Sequence, residues 1–217
     1  MGSDDLFHKR KRRASELQRR KPNRQRYKKV LIVCEGEKTE PNYFNALKDR
    51  YQLNSVTISG ESGSSPASVL KYAKQRYRES KEAGDAFDKV FCVFDQDQHE
   101  TYASTLQAIR KAKPKGVFQA IPSVPCFEYW LLLHFTYTTK PYDSETPCTQ
   151  VLHDLKSYMG NYAKRVPQSV FRNLLGSLDT AKANAALSLK AADNTDTNNP
   201  STKVHELVDE LQEIKQP

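Results

Sequence analysis

The stretch VLIVCEGEKTE, residues 30–40, decides the fold of this chain. It consists of five apolar residues, mostly β-branched, followed by a cluster of acids around one glycine. A second stretch of the same kind, VFCVFDQD, spans residues 90–97. Short apolar runs of this composition are typical of strands buried on both faces, as in a parallel sheet. In an open parallel sheet, ligands bind beyond the carboxyl ends of the strands, where both acidic clusters would lie.

The pattern along the rest of the chain predicts an α/β fold. Strands and helices are expected to alternate, which favours right-handed crossovers and a parallel sheet covered by helices on both faces. Thr39 is predicted to cap the first helix, and Ser65-Pro66 to open the second. The expected strands are 28–34, 55–59, 89–94 and 117–121. The expected helices are 39–50, 66–82, 100–112, 126–135, 148–160, 168–192 and 201–214.

Charge and composition divide the chain into three predicted parts. Residues 1–27 form a basic, disordered arm, residues 28–135 an α/β core, and residues 136–217 a helical extension packed on that core. The first 29 residues carry twelve Lys or Arg against three Asp or Glu, a net charge of +9. Since the whole chain of 217 residues carries +8, the remainder sums to −1.

A dense basic arm attracts polyanions through counterion release, largely without regard to sequence. The arm is therefore predicted to contact nucleic acid, although a solubilising tail has the same composition. Its candidate contacts are Lys9, Arg10, Lys11, Arg12, Arg13, Arg19, Arg20, Lys21, Arg24 and Arg26.

The same composition predicts a cytoplasmic protein. No apolar run approaches the roughly 20 residues needed to span a bilayer, and the basic N-terminus is not followed by the apolar region of a secretory signal. None of the four cysteines is part of a CxxC pair, so neither a zinc site nor a disulfide framework is expected. The cysteines are interpreted as small buried apolar residues.

The acidic clusters predict a metal site. Side chains alternate along a strand, so Asp95 and Asp97 are expected to point to the same side, with Glu35 approaching from a neighbouring strand. Carboxylates gathered at one sheet edge repel one another unless a cation lies between them, and hard ions such as Mg²⁺ prefer oxygen ligands. Glu37 and Glu40 are candidates for a further ligand or a general base. Gly36 permits a sharp turn and close approach of a phosphate or water.

Glu128 is a further candidate, because an ionised carboxylate inside the apolar segment 127–133 needs a partner. A metal ion or a basic side chain would serve. The alternative for the other acids is helix capping: Asp97 with Glu100 matches a capping box, and Glu40 lies where a negative charge favours a helix N-terminus.

These residues also carry a resemblance. A hydrophobic strand ending in Glu-Gly, with a later strand ending in Asp-x-Asp, is similar to the signature of Toprim domains, found in topoisomerases, primases and the overcoming-lysogenization-defect nucleases. More closely, the chain resembles the RloB-like (abortive infection) proteins. The motifs that carry this likeness are VCEGEKTEPNYF at 33–44, FDQD at 94–97, PCFEYWLLLHF at 125–135 and NPSTKVH at 199–205.

The resemblance implies a Toprim-type fold, dependence on Mg²⁺ or Mn²⁺, and cleavage of nucleic acid in prokaryotic defence against phage, with an ATPase as a separate partner. It implies that Glu35, Asp95 and Asp97 bind the metal and that Glu128 is an additional metal ligand. In the overcoming-lysogenization-defect nucleases the second Glu follows the first by four residues, whereas Glu40 follows Glu35 by five. Lys38 is expected to steady the phosphate.

The histidines and one loop are weaker candidates. His99 is a possible acid–base or phosphate-binding residue, His134 is expected to be a hydrogen-bonded core histidine, and His153 and His205 are expected at the surface or as caps. The polar loop 59–66 contains neither a P-loop nor a dinucleotide-binding motif, so the chain is not expected to bind ATP by those means.

Two other functions compete with a nuclease. One is a non-catalytic nucleic-acid-binding adaptor that acts through its arm. The other is a phosphatase of the haloacid-dehalogenase type, with Asp95 as nucleophile. This phosphatase fits less well, because its Asp-x-Asp strand should come first in the fold. The residues leave the choice between DNA and RNA open, including a structured RNA such as tRNA.

Overall fold

The computed structural model describes residues 27–97, 99–160, 162–163, 166–195 and 197–214. The predicted arm, apart from Tyr27, lies outside these residues, and so do its ten candidate nucleic-acid contacts. The strands are β1 (Val30–Cys34), β2 (Val56–Ser59), β3 (Lys89–Asp95), β4 (Phe118–Val124) and β5 (Ser201–Thr202). The helices are α1 (Thr39–Tyr51), α2 (Pro66–Glu82), α3 (Tyr102–Arg110), α4 (Phe127–Leu132), α5 (Pro147–Lys156), α6 (Gln168–Leu174), α7 (Leu178–Asn194) and α8 (Val204–Ile214).

The strands form one sheet in the order β2-β1-β3-β4-β5. The first four are parallel, with Val30 opposite Val56 on one side and Lys89 on the other. The predicted α/β fold with a parallel sheet is therefore confirmed. Because α1, α2 and α3 each connect parallel strands, the carboxyl ends of β1, β2, β3 and β4 lie along one edge, here called the carboxyl edge.

Alternation along the strands divides the core between the two faces of the sheet. On β1, Ile32 packs into one core with α1 and the C-terminal helices, whereas Leu31 and Val33 pack into the other with α2 and α3. On β3, Phe91 belongs to the first core and Cys92 to the second. A strand that is apolar on both sides can serve two helical layers, which explains the continuous apolar runs of the sequence.

An aromatic cluster joins α1, α4 and α6 within the first core. The Tyr43 ring lies edge-on to Phe127, Trp130 and Phe171, with centroid distances of 5.6, 6.2 and 5.6 Å. All four side chains are buried. This packing holds the start of α1 and the start of α4 beside the carboxyl edge.

The structure corrects several local expectations. Lys38, not Thr39, occupies the N-cap of α1 and makes no side-chain cap bond, whereas Ser65 does cap α2 in a capping box with Ser68. The single helix expected at 168–192 is interrupted by a 3-10 turn at Leu175–Ser177.

The expectation of helix from residue 201 missed β5, which pairs antiparallel with β4 and is joined to it by a 2.9 Å hydrogen bond between Ser123 Oγ and Thr202 Oγ1. A two-residue strand is too short to leave a periodic signal. Within the part of the chain that the structure describes, no helix has the length and apolar character needed to cross a membrane.

Candidate active site

Six predicted site residues line one cavity of about 520 Å³ at the carboxyl edge of the sheet. They come from three separate parts of the chain: the end of β1 with the start of α1, the end of β3, and the start of α4. The six are Glu35, Lys38, Glu40, Asp95, Asp97 and Glu128. Glu37, His99 and Ser64 contribute to the same lining.

Glu35 bridges the ends of β1 and β3. Its backbone N–H donates to the Val93 carbonyl at 3.0 Å, which continues the strand pairing by one residue. Its Oε2 accepts a 3.1 Å bond from the Asp95 N–H, and its Oε1 lies 2.9 Å from His99 Nε2. Only 12% of the Glu35 side chain is exposed. The carboxylate is thus held by two partners on the neighbouring segment of chain.

Asp95 and Asp97 reach the cavity in a different way from the one expected. β3 ends at Asp95, so the two residues do not alternate along one extended strand. The chain turns instead: the Gln96 N–H donates to Ser123 at 2.9 Å, and Asp97 has φ +32° and donates its N–H to the Pro125 carbonyl at 3.1 Å. Asp97 is exposed, and the capping box proposed for it is absent because α3 begins at Tyr102 after Thr101.

Glu40 and Glu128 approach the cavity from two helices packed on the same face of the sheet. Glu40, in the first turn of α1, is 6% exposed and accepts a 3.2 Å bond from the Gly36 N–H. Glu128, in the first turn of α4, is 3% exposed and accepts a 3.4 Å bond from the Tyr162 hydroxyl. No Lys or Arg among the described residues forms an ion pair with Glu128, so the alternative of a salt bridge gains no support there.

The electrostatics of the cavity disfavour a full set of negative charges. Burial raises the pKa of Asp95 well above its ordinary value, and the charges of Glu40, Glu128 and Glu35 raise it further. Burial also raises the pKa of Glu40 to about 7, with Glu128 and Glu35 adding to the shift. The pKa of Glu35 is raised by burial, against the lowering effects of the Asp95 N–H and His99. These shifts mark a site that a positive charge would stabilise.

The oxygen ligands of the cavity suit a hard divalent cation, whereas their side chains are not arranged to coordinate one. The six carboxylates of the lining provide oxygen ligands of the kind that Mg²⁺ and Mn²⁺ prefer. Within the described residues, however, no group of three or more His, Cys, Asp or Glu side chains is arranged to hold a metal ion. Glu35, Glu40 and Glu128 are each bonded to a protein donor. A carboxylate has two oxygens, so each of these groups could bind a cation and still keep a hydrogen bond to its present partner.

Lys38 lies between the acidic cavity and a second cavity of about 570 Å³. Both cavities include Glu37 and Lys38, and the second also includes Arg76. The Lys38 side chain is exposed, which leaves its ammonium group able to reach a ligand in the acidic cavity. Arg76 is instead held in place by the Tyr72 hydroxyl, at 3.1 Å, and by Glu79.

The cavity lining also contains His99, Ser64 and Thr39. No sequence motif indicates the contact of His99 with Glu35, because that contact depends on the turn after β3. The expectation for His205 was wrong: it is 8% exposed, since β5 and α8 pack it against the sheet. His153 is exposed, as expected. Cys148 is half-buried, whereas Cys34, Cys92 and Cys126 are buried.

His134 is the hydrogen-bonded core histidine that the sequence predicted. It is 3% exposed, with Nδ1 3.1 Å from the Trp130 carbonyl and Nε2 3.2 Å from the Tyr43 hydroxyl. A neutral ring satisfies both contacts, with Nδ1–H donating and Nε2 accepting. Burial lowers the pKa of His134 from 6.5 to about 4.

The depressed pKa of His134 predicts a loss of stability in acid. The unfolded chain takes up a proton at this histidine below pH 6.5 and the folded chain does not until about pH 4, so the stability falls across that window. We expect the free energy of unfolding to drop by about 2 kcal/mol between pH 7.5 and pH 5 from this residue. Urea unfolding of the protein and of His134→Gln at both pH values measures the difference. Equal pH dependence of the two proteins would contradict the assignment.

The loops of the cavity pack closely at two glycines: Gly60 meets backbone and requires glycine, whereas Gly36 meets the movable carboxylate of Glu40. A Cβ at Gly36 would overlap the Glu40 carboxylate, and a Cβ at Gly60 would lie 2.7 Å from the Gly36 carbonyl oxygen. The β1–α1 and β2–α2 loops therefore meet backbone to backbone. Ser62 Oγ adds a 2.8 Å bond to the Cys34 carbonyl, which fastens the second loop to the end of β1.

Gly36→Ala is expected to impair function by displacing Glu40. The added methyl group occupies the position of the Glu40 carboxylate, and a displacement of about 1 Å at a reacting centre costs about 10²-fold in rate. Gly176→Ala is the matched control, because a Cβ there meets nothing within 4 Å. The melting temperatures of both variants, and their rates in the nuclease reaction proposed below, provide the measurement. Unchanged activity of Gly36→Ala would show that Glu40 is dispensable.

The comparisons with known proteins agree with the motifs that line this cavity. A family model described as RloB-like protein matches residues 30–211. The chain belongs to the RloB-like family. The matched range includes every acid of the cavity and excludes the whole basic arm, residues 1–27. Searches of curated proteins and of solved structures give no significant match.

Proposed function

We propose that this RloB-like protein is a divalent-metal-dependent nuclease of the Toprim type, which hydrolyses phosphodiester bonds of DNA or RNA. One observation carries the proposal: six carboxylates from three separate parts of the chain line one cavity at the carboxyl edge of a parallel sheet. A role in defence against phage, and an ATPase partner, are proposed from the family and its motifs alone.

In this proposal Glu35, Asp95 and Asp97 hold Mg²⁺ or Mn²⁺, with Glu128 as an additional ligand. Bound there, the ion neutralises charge on the phosphodiester and activates water for attack. The raised pKa values of Asp95 and Glu35 support this assignment, because carboxylates that repel one another gain most from a cation.

The remaining residues of the cavity bind phosphate or accept a proton. Lys38, exposed at the rim, contacts a phosphate oxygen of the substrate. His99, Glu37 or Glu40 receives the proton of the attacking water. In His99 the Nε2 lies 2.9 Å from Glu35 and donates to it, so Nδ1 is the nitrogen left to accept a proton, and the ring is partly exposed to the cavity.

Cleavage of a substrate panel tests the proposal. Full-length protein is incubated with plasmid DNA, single-stranded DNA and total tRNA, in Mg²⁺, in Mn²⁺ and in EDTA. Asp95→Ala/Asp97→Ala protein is run alongside, with Asp193→Asn, an exposed acid outside the cavity, as a control. We expect metal-dependent cleavage of at least one substrate by the wild type and by Asp193→Asn, and none by the double variant.

Other outcomes favour the competing functions. An adaptor would be favoured if the protein binds nucleic acid without cleaving it, even with the ATPase partner added. The double variant would then bind with the same affinity as the wild type. Trapping of a phosphoaspartate at Asp95 would favour a phosphatase. Cleavage that persists in EDTA would exclude the metal-dependent mechanism.

A further inference from the structure

We propose that the sheet edge opposite the acidic cavity is a second nucleic-acid contact surface, which holds the sugar-phosphate backbone through charge. This surface, the basic edge, consists of Lys81, Arg110, Lys111, Lys113 and Lys115. It gives the proposed nuclease a non-catalytic anchor for a long substrate, and in this sense rests on the proposed function. Its binding of nucleic acid is separable from cleavage.

The topology of the sheet places these residues away from the acids. α2 and α3 each run from the carboxyl end of one strand to the amino end of the next, so the residues that end them lie at the amino edge. The Val90 N–H donates to the Val117 carbonyl at 2.8 Å, which fixes the 111–117 segment beside the start of β3. Lys81 and Pro114 line one cavity of about 490 Å³, which brings the end of α2 next to that segment.

The basic edge carries an excess of exposed positive charge. All five side chains are exposed, and none of them forms an ion pair with another described residue. Two nearby acids are already engaged by Lys29: Asp85 forms an ion pair with its Nζ, and Asp88 accepts its backbone N–H at 2.7 Å. Glu82 is the third acid of this region, so the five cations of the basic edge, together with Lys29, outnumber the three carboxylates.

The basic N-terminal arm joins the folded body at this same edge. Lys28 and Lys29 precede β1, and the Asp88 N–H donates to the Lys29 carbonyl at 2.8 Å. One strand, β3, separates β1 from β4, so the start of β1 lies about 10 Å from the start of β4. The charges of Lys28, Lys29 and the basic edge therefore lie on one side of the molecule, although residues 30–217 together carry a net charge of only −1.

The spacing of the charges favours an extended polyanion over a small anion. Four of the five cations, Arg110, Lys111, Lys113 and Lys115, follow one another along the end of α3 and the segment after it, as in surfaces that follow a phosphate backbone. β3 has seven residues at about 3.3 Å each, so the two edges are about 23 Å apart. At 3.4 Å per base pair, a nucleic acid that reaches from the cavity to the basic edge spans about seven base pairs.

Salt-dependent binding tests the basic edge without any catalysis. The anisotropy of a labelled 30-base-pair duplex is measured with full-length protein in EDTA over a range of KCl concentrations. Lys111→Ala/Lys113→Ala/Lys115→Ala is compared with Lys156→Ala/Arg172→Ala/Lys190→Ala, which removes the same charge from exposed positions on the helical extension.

We expect the basic-edge variant to bind about tenfold more weakly, with the slope of log K against log salt reduced by about 2 to 3, one unit per lost phosphate contact. The control variant is expected to stay within twofold of wild type. Equal affinity and slope for the basic-edge variant and the wild type would overturn the proposal.

The same variants separate this proposal from the proposed nuclease. Where cleavage is measured, loss of the basic edge is expected to raise KM for long substrates and leave kcat unchanged. The Asp95→Ala/Asp97→Ala protein is expected to show the opposite pattern, with normal binding in EDTA and no cleavage. A basic-edge variant with normal KM and a reduced kcat would contradict an anchoring role.

Discussion

Asp95→Asn is expected to lower metal-dependent cleavage by at least about 10³-fold while making the metal-free protein more stable. The rate loss follows because a bound cation contributes several kcal/mol to transition-state stabilisation, and about 1.4 kcal/mol corresponds to tenfold. The gain in stability follows because the ionised Asp95 is disfavoured by burial and by the charges of Glu40, Glu128 and Glu35. A neutral amide removes that repulsion, and we expect a gain of about 0.5–2 kcal/mol.

Two measurements check both parts of this prediction. Urea unfolding in EDTA compares the stability of wild type, Asp95→Asn and the Asp193→Asn control. Thermal unfolding with increasing Mn²⁺ then compares their responses, because an ion that binds only the folded state raises the melting temperature. We expect the wild type and the control to respond to Mn²⁺ and Asp95→Asn to respond little. A destabilised Asp95→Asn protein with an unchanged Mn²⁺ response would contradict the assignment.

Trp130→Ala is expected to cause the largest loss of stability of the substitutions considered, about 3–5 kcal/mol. Trp130 is fully buried, and its ring lies edge-on to Tyr43 and to His134, with centroid distances of 6.2 and 4.9 Å. Removal of the indole leaves a cavity where α1 and α4 meet. Since Glu128 lies two residues before Trp130 on α4, the substitution should also loosen the acidic cavity.

Chemical denaturation provides the test, with Leu187→Ala as the control. Leu187 is 53% exposed on α7, and its truncation is expected to change the free energy of unfolding by no more than about 0.5 kcal/mol. A loss of less than about 1 kcal/mol for Trp130→Ala would mean that the neighbouring rings collapse into the space or that the aromatic cluster is not the centre of the core.

The α/β fold and the main acids of the cavity could be predicted from the sequence for one physical reason. Burial on both faces of a parallel strand requires a continuous apolar run, and the residue that follows each run lies at the carboxyl edge. Glu35 and Asp95 directly follow such apolar runs, so both are expected at the carboxyl edge and therefore near one another. Ser65-Pro66 likewise marks the start of α2, because capping is a contact within one turn.

Other features could not be predicted because they depend on contacts between distant segments. The contact of His99 with Glu35 and the turn that carries Asp97 require the pairing of β3 with β4. β5 and the burial of His205 require the C-terminal segment to reach the far edge of the sheet. A two-residue strand and a single buried histidine leave no periodic pattern in the sequence.

By itself, the sequence determined the alternation of strands and helices, the apolar strands of the sheet and the acids that end them, because each depends on burial or capping within a few residues. Only the tertiary structure decided that Glu40 and Glu128 meet those acids in one cavity, and that the basic edge lies on the opposite side of the sheet. Both depend on the order of the strands and on the packing of α1, α3 and α4 against them. Those contacts join residues up to about a hundred positions apart, and only the folded chain brings them together.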